Sequence, residues 1–194
     1  YMDEKDANDK LTGKRVTTSD YASANYYYVN KSSLPKVYGG FNTSLSWKGF
    51  DLSAIFAYSI GGYIYNRDIT MILHNGSLEG RDWSTEILKR WTPENRYTDV
   101  PALSTTSNNW NSASTRFLQN NSYMRLKNLT LSYDLPKQWI SKLALSSVQV
   151  FVQGDNLFTI HRNQGLDPEQ GITGITYYRY PAMRTISGGI NLSF

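Results

Sequence analysis

The sequence contains no cysteine, so no disulfide can staple the chain and no thiolate chemistry is open to it. It has two histidines, His74 and His161, isolated from any metal-spaced cluster, and we read both as solvent-facing loop residues rather than ligands. No apolar run approaches the roughly 18 residues of a transmembrane helix, and no charged segment leads into an apolar core as in a signal peptide. Helical insertion is thereby set aside. A membrane β-strand is not, because it needs only about 9 to 11 residues with every second one apolar. Charge of one sign is also scarce: 20 Lys and Arg against 16 Asp and Glu leave a net charge of +4. The basic residues are scattered, without the stripe that nucleic-acid binding requires, so nucleic acid is not an expected partner. The pairs Gly39-Gly40, Gly61-Gly62 and Gly188-Gly189 lack the Lys-Ser/Thr that would follow in a phosphate loop and read better as bends in a curved sheet. No catalytic constellation, cofactor site or metal site emerges, and the chain is read as not an enzyme.

What is present speaks for strands. The 194 residues include 15 Tyr, 5 Trp and 14 Gly with abundant Asn, Ser and Thr. Residues 1–33 are polar and sign-mixed with little periodicity and are read as a loop. From residue 36 the pattern becomes alternating: Phe41, Thr43, Leu45 and Trp47 share one parity. Lys48-Gly49 then makes a two-residue hairpin turn, and Phe50, Leu52, Ala54, Phe56, Tyr58 and Ile60 line one face of the return strand. Further strands are expected over residues 124–133, 147–158 and 182–194, beside the first pair at 36–47 and 50–60. In the strand at 124–133, Leu129, Leu131 and Tyr133 share a face, but continuing that parity upstream would put Arg125 and Lys127 beside them. Either a bulge near Lys127 switches faces or that half rises above any membrane.

The long segments 61–121 and 161–180 are read as loops. Within the first, "DWSTEILKRWTPEN" predicts a short helix with Asp82 as cap, Trp83, Ile87, Leu88 and Trp91 on one face, Glu86 four residues before Arg90, and Pro93 ending the turn. Connections therefore alternate between long and short, the mark of an outer-membrane barrel with short periplasmic turns and long extracellular loops. Aromatics support the frame: Trp47, Phe50, Tyr133, Trp139 and Phe194 fall near the periplasmic ends, and Tyr58, Tyr63, Tyr123 and Tyr180 near the extracellular ends. The competing reading is a secreted β-sandwich, a carbohydrate-binding or adhesin domain whose apolar faces meet in a core. About five strands cannot close a membrane barrel, which uses about 8 or more. The fold class is accordingly all-β, the C-terminal strands of a large antiparallel transmembrane β-barrel, with residues 1–33 an extracellular loop and 34–194 barrel.

The stretches "KSSLPKVYGGFNTSLSWKGFDLSAIFAYSIGGYIYN", "WTPEN", "NNSYMRLKNLTLSYDLP", "VQVFVQGDNLFTI", "GLDPE" and "ISGGINLSF", in that order, resemble the SusC/RagA-like TonB-dependent transporters of Gram-negative outer membranes. The resemblance covers most of residues 31–194. It implies a barrel of about 22 strands with a plugged lumen, the active import of oligosaccharides or oligopeptides, a SusD-like surface lipoprotein as lid, and the TonB complex acting through a part of the protein outside this sequence. A passive porin is the third reading, decided by whether a plug and TonB box accompany the barrel.

Candidate contacts with substrate or lid are Asn108, Asn109 and Trp110, and Tyr177, Tyr178 and Arg179, since sugars and peptides offer hydroxyls, amides and CH faces to such groups. Asp167 and Glu169 flank Pro168 and are read as a turn rather than an acid–base pair. The ending "ISGGINLSF" alternates so that Ile186, Ile190, Leu192 and Phe194 share a face turned to outer-membrane lipid. By resemblance, Ile190, Leu192 and Phe194 form the signal read by the barrel-assembly machinery.

Overall fold

The computed structural model describes every residue except 19, 75, 77, 79, 105–110, 142–144, 164, 166 and 170. In chain order its elements are β1 (Met2–Lys5), β2 (Leu11–Val16), β3 (Val37–Trp47), β4 (Phe50–Ile60), β5 (Tyr63–Asn66), α1 (Arg67–Ile72), a 3-10 turn (Thr85–Lys89), a second 3-10 turn (Thr115–Phe117), β6 (Leu118–Asn120), β7 (Tyr123–Asp134), α2 (Lys137–Ile140), β8 (Ser147–His161), β9 (Ile175–Thr176) and β10 (Thr185–Ser193). They fall into two compact units, one of residues 1–30 and 69–115, the other of residues 31–68 and 116–194.

The larger unit is built on one antiparallel sheet in the order β10-β8-β7-β4-β3. Lys48 and Gly49, at φ 50° and 86°, turn β3 into β4, the positive-φ pair that a tight hairpin matched to right-handed twist requires. A Cβ on Gly49 would stand 3.1 Å from the Asp134 carbonyl oxygen, so the turn is also sterically confined. Because paired residues share a face, the register assembles continuous rows. One runs Trp47, Phe50, Tyr133, Val150, Ile190; the next runs Leu45, Leu52, Leu131, Val152, Gly188. Phe41 stacks on Phe56 with ring centres 4.7 Å apart, and Phe50 packs on Tyr133 at 4.4 Å. The opposite face is polar and hydrogen-bonds laterally: Asn128 donates to Asp155 (2.8 Å), Gln149 to Asp134 (3.0 Å) and Asn191 to Gln149 (3.2 Å).

A bulge resolves the parity conflict in β7. Ile55 pairs with Asn128 and Phe56 with Leu126, leaving Lys127 without a partner on β4. On the other side Leu126 pairs with Phe158 and Asn128 with Asp155, so β8 accommodates the same step with Asn156 and Leu157, Asn156 taking a positive φ. One inserted residue exchanges the two faces of everything upstream. Leu126 and Met124 thus join the apolar face, and Arg125 turns to the polar one.

That apolar face is largely uncovered, with Ala54, Leu126 and Val148 its buried members. Leu45 is 67% exposed, Ile186 76% and Ile190 63%, with Trp47, Leu131, Val152 and Ile160 open as well. The sandwich alternative needs this face buried in a core, and it is set aside. A contiguous uncharged face of this size on a twisted antiparallel sheet is the lipid side of a barrel wall. Among the described residues no helix is long and apolar enough to cross a membrane.

Two loop readings need correction. Residues 1–33 are not all loop: β1 and β2 form a hairpin, with Asp3 opposite Arg15 and the Asp6 carboxylate accepting from the N–H groups of Asn8 and Lys10 in the turn. Its apolar residues are only Met2, opposite Val16, and Leu11, opposite Lys5, too few for an apolar alternation to mark it. The helix expected from Asp82 is a 3-10 turn capped by Ser84, whose hydroxyl accepts from the Glu86 N–H. Only Ile87 of the expected apolar face is buried there, and Glu86 pairs with Lys89 rather than with Arg90. The "WTPEN" stretch closes that turn: Asn95 donates to the carbonyls of Lys89 and Arg90, and the Thr98 hydroxyl to that of Lys89.

Placing a cation on the apolar face should cost far more than placing one opposite. In the full-length protein refolded into liposomes, Leu131→Arg should lose up to about 2–4 kcal/mol by denaturant titration, against about 1 kcal/mol or less for Gln153→Arg. Equal losses would remove the lipid-facing assignment.

Candidate functional site

In the larger unit, β7 and β8 run past the end of β10, and the segment from residue 162 to 184 folds onto them. Its anchor is Arg125, delivered to the polar face by the Lys127 bulge and only 3% exposed. The guanidinium donates to the Thr159 hydroxyl (2.9 Å), to Glu169 (2.9 Å) and to Asp167. Lys127 adds its ammonium to Glu169 at 2.6 Å. Asp167 and Glu169, read from sequence as flanks of a turn, are therefore also the loop's clasp on the wall.

Asp167 gathers several donors. Besides Arg125, the N–H groups of Glu169 (2.9 Å) and Ala182 (2.6 Å) point at its carboxylate. β10 pairs with β8 from Thr185 onward, and just ahead of it the Ala182 N–H is committed to Asp167 while the Met183 carbonyl accepts from Asn156 of β8. Burial raises the Asp167 pKa, but those two N–H groups and the Arg125 guanidinium outweigh it and hold the carboxyl below its ordinary value.

A small sheet in the order β6-β5-β9 steadies the rest of this region, with β9 parallel to β5. Ile64 and Phe117 are buried beneath it, and Asn121 donates to the Pro168 carbonyl at 2.8 Å. Two recesses result, both bordered by Pro168. One of about 330 Å³ is lined by Tyr38, Tyr58, Tyr63, Tyr123, Asn121 and Ile172 among others. The second, about 360 Å³, has Arg125, His161, Arg179 and Arg184 in its lining.

The expected contact residues divide. Asn108, Asn109 and Trp110 lie outside the described residues. Tyr177 and Tyr178 form an exposed pair, ring centres 4.3 Å apart, with the Arg67 guanidinium 4.8 Å from the Tyr177 ring centre. Tyr178 takes a positive φ of 48°, held by its N–H donating to Asp68 (3.0 Å). Arg179 stands apart from that pair's stacking and lines the second recess. Ile190 and Leu192 lie exposed on the apolar face of β10, and Phe194 follows its last residue, exposed. In the smaller unit His74 corrects the solvent-facing reading: it is 1% exposed, and its Nδ1 accepts from the Trp83 indole at 3.1 Å. Arg125, Asp167, Glu169 and Arg184 were missed. The available signal was an arginine and a lysine at lipid-facing parity, which demanded both a bulge and counter-charges.

Among the described residues no group of His, Asp and Glu could hold a metal ion. What the geometry offers is recognition: exposed aromatic rings, guanidinium groups and polar recesses at one end of a lipid-facing wall. That defines the class, an outer-membrane β-barrel with a structured loop crown.

Comparison with known proteins makes the family specific. No protein-family model matches the chain. It is 33% identical over 166 residues to TonB-dependent receptor P3 of Formosa agariphila, covering 80% of this chain and 16% of that protein. It is 27% identical over 168 residues to TonB-dependent receptor SusC of Bacteroides thetaiotaomicron, covering 86% and 16%. The structure of the RagAB peptide importer in the closed-closed state superposes with a TM-score of 0.79 at 34% identity, over 98% of this chain and 20% of that one. By sequence and fold the chain is a stretch of a SusC/RagA-like TonB-dependent transporter. It spans 16% of the length of these curated relatives.

The Asp167 clasp makes the loop acid-sensitive. A carboxyl with a lowered folded pKa contributes its full stabilisation above the unfolded value near 4, and loses it as pH falls through the folded value. Hydrogen-exchange protection of the Ala182 amide in the full-length protein should hold from neutrality to about pH 5 and fall below about pH 4. Asp167→Asn should lower protection at neutral pH and flatten the acid dependence. An unchanged profile in that variant would remove the clasp's role.

Proposed function

We propose that the protein containing this chain imports oligopeptides or oligosaccharides across the outer membrane of a Gram-negative bacterium, driven by the TonB complex and capped by a SusD-like surface lipoprotein. The observation that carries the reading is the uncharged apolar face, kept free of Arg125 and Lys127 by the bulge, joined to a fold shared with a peptide importer. Tyr177, Tyr178 and Arg179, with Asn108, Asn109 and Trp110, are the candidate contacts to cargo or lid. Two exposed rings held by a strained backbone suit the CH faces of a sugar or the side chains of a peptide. Nothing in this role requires bond-making chemistry in the chain.

In cells of the native host, deleting the gene should abolish uptake of a labelled oligopeptide or oligosaccharide pool, and a protonophore should do the same with the gene intact. Uptake that survives the protonophore would favour a passive porin. Uptake that survives deletion would overturn the importer reading.

We also assign Ile190, Leu192 and Phe194 as the segment read by the barrel-assembly machinery, since all three present exposed apolar side chains at the edge of the sheet formed by β10. Deleting Phe194 from the full-length protein should reduce its outer-membrane level several-fold in surface labelling. Unchanged surface levels would count against that role.

A further inference from the structure

The second recess is electrically unbalanced. Its lining carries three arginines, Arg125, Arg179 and Arg184, against one carboxylate, Asp167. Arg125 is committed to Asp167, Glu169 and Thr159, and Asp167 already accepts from Arg125 and two backbone N–H groups. Arg179 and Arg184 are exposed, and among the described residues no carboxylate lies within ion-pairing distance of either. The Arg179 guanidinium lies over Gly171, its terminal nitrogens 3.8 and 3.9 Å from where a Cβ there would stand. Two guanidiniums lining one recess offer planar, multi-donor groups to a further oxyanion.

His161 sharpens the ligand. Its Nδ1 lies 2.9 Å from the Asn163 carbonyl oxygen, which only an N–H can satisfy, so the neutral ring presents Nε2 as an acceptor. The recess thus offers cationic donors together with a lone pair for a neighbouring N–H or O–H, and Pro181 adds hydrocarbon to its lining. A carboxylate next to an amide or hydroxyl, on a partly apolar frame, meets all three demands.

We propose that this recess, through Arg179 and Arg184, binds a carboxylate of the transported oligomer. The proposal rests on the import reading above. Two cargo chemistries share the group: the C-terminal or side-chain carboxylate of a peptide, and the carboxylate of an acidic sugar.

The test uses the full-length protein in detergent, titrated calorimetrically with two matched pairs. One pair is an oligopeptide as free acid and as C-terminal amide, without acidic side chains; the other is a uronate oligosaccharide and its neutral counterpart. The proposal expects one acidic member to bind roughly 10-fold or more tighter than its neutral partner, with the preference weakening as salt rises. The pair that shows it names the source. Arg179→Gln with Arg184→Gln should erase the preference, so that each acidic ligand binds no tighter than its neutral partner, and the double Lys variant, keeping charge without the planar fork, should retain part of it. Equal affinity within both pairs, or a preference that survives the Gln variants, overturns the carboxylate site while leaving import of neutral cargo standing. Absence of binding by all four ligands overturns the site as well, and cellular uptake then decides the import reading separately.

Discussion

A strand that meets hydrocarbon on one side and water on the other cannot carry cations on the hydrocarbon parity, because a midplane Arg or Lys costs about 2–4 kcal/mol. Strand β7 has Arg125 and Lys127 in line with Leu129, Leu131 and Tyr133, and the rest of the larger unit depends on how that conflict is resolved. The single-residue bulge at Lys127 does so by exchanging faces. It keeps the apolar face continuous across five strands and delivers a guanidinium to the polar side.

The delivered guanidinium then organises the loop. A buried arginine without counter-charge would be expensive, and Asp167 and Glu169 meet it from a segment about forty residues downstream. With Asp167 fixed, its remaining oxygen captures the Ala182 N–H three residues before β10 begins to pair with β8. The wall and the crown are therefore coupled through Arg125, with Lys127 adding a second tie to Glu169. The site side of the molecule inherits its geometry from a requirement of the lipid side.

Alternation in "FNTSLSW", "FDLSAIFAYSI" and "INLSF" reveals the wall, because a half-buried strand writes its environment with period two. The tight turn at Lys48-Gly49 is legible for an equally local reason, the need for positive φ. The hairpin of β1 and β2 left no such trace, since turn hydrogen bonds to Asp6 and the contacts of Asp3 and Arg15 with Tyr27 support it more than apolar alternation does. The short β5, β6 and β9 were hidden within long loops, because strands of two to four residues pair with sequence-distant partners and carry too little pattern to read. The same distance concealed the clasp: Arg125 is legible as an anomaly, and its partners are not.

Sequence alone determined that this chain is a run of antiparallel strands with an uncharged face, because parity is a local property, and its motifs identified the transporter family. Only the tertiary structure decided which way Arg125 points and what it holds. It likewise decided that Arg179 is parted from Tyr177 and Tyr178 to share a recess with Arg184. Those outcomes turn on one unpaired residue in a register and on charges some forty residues apart, and no local pattern encodes either.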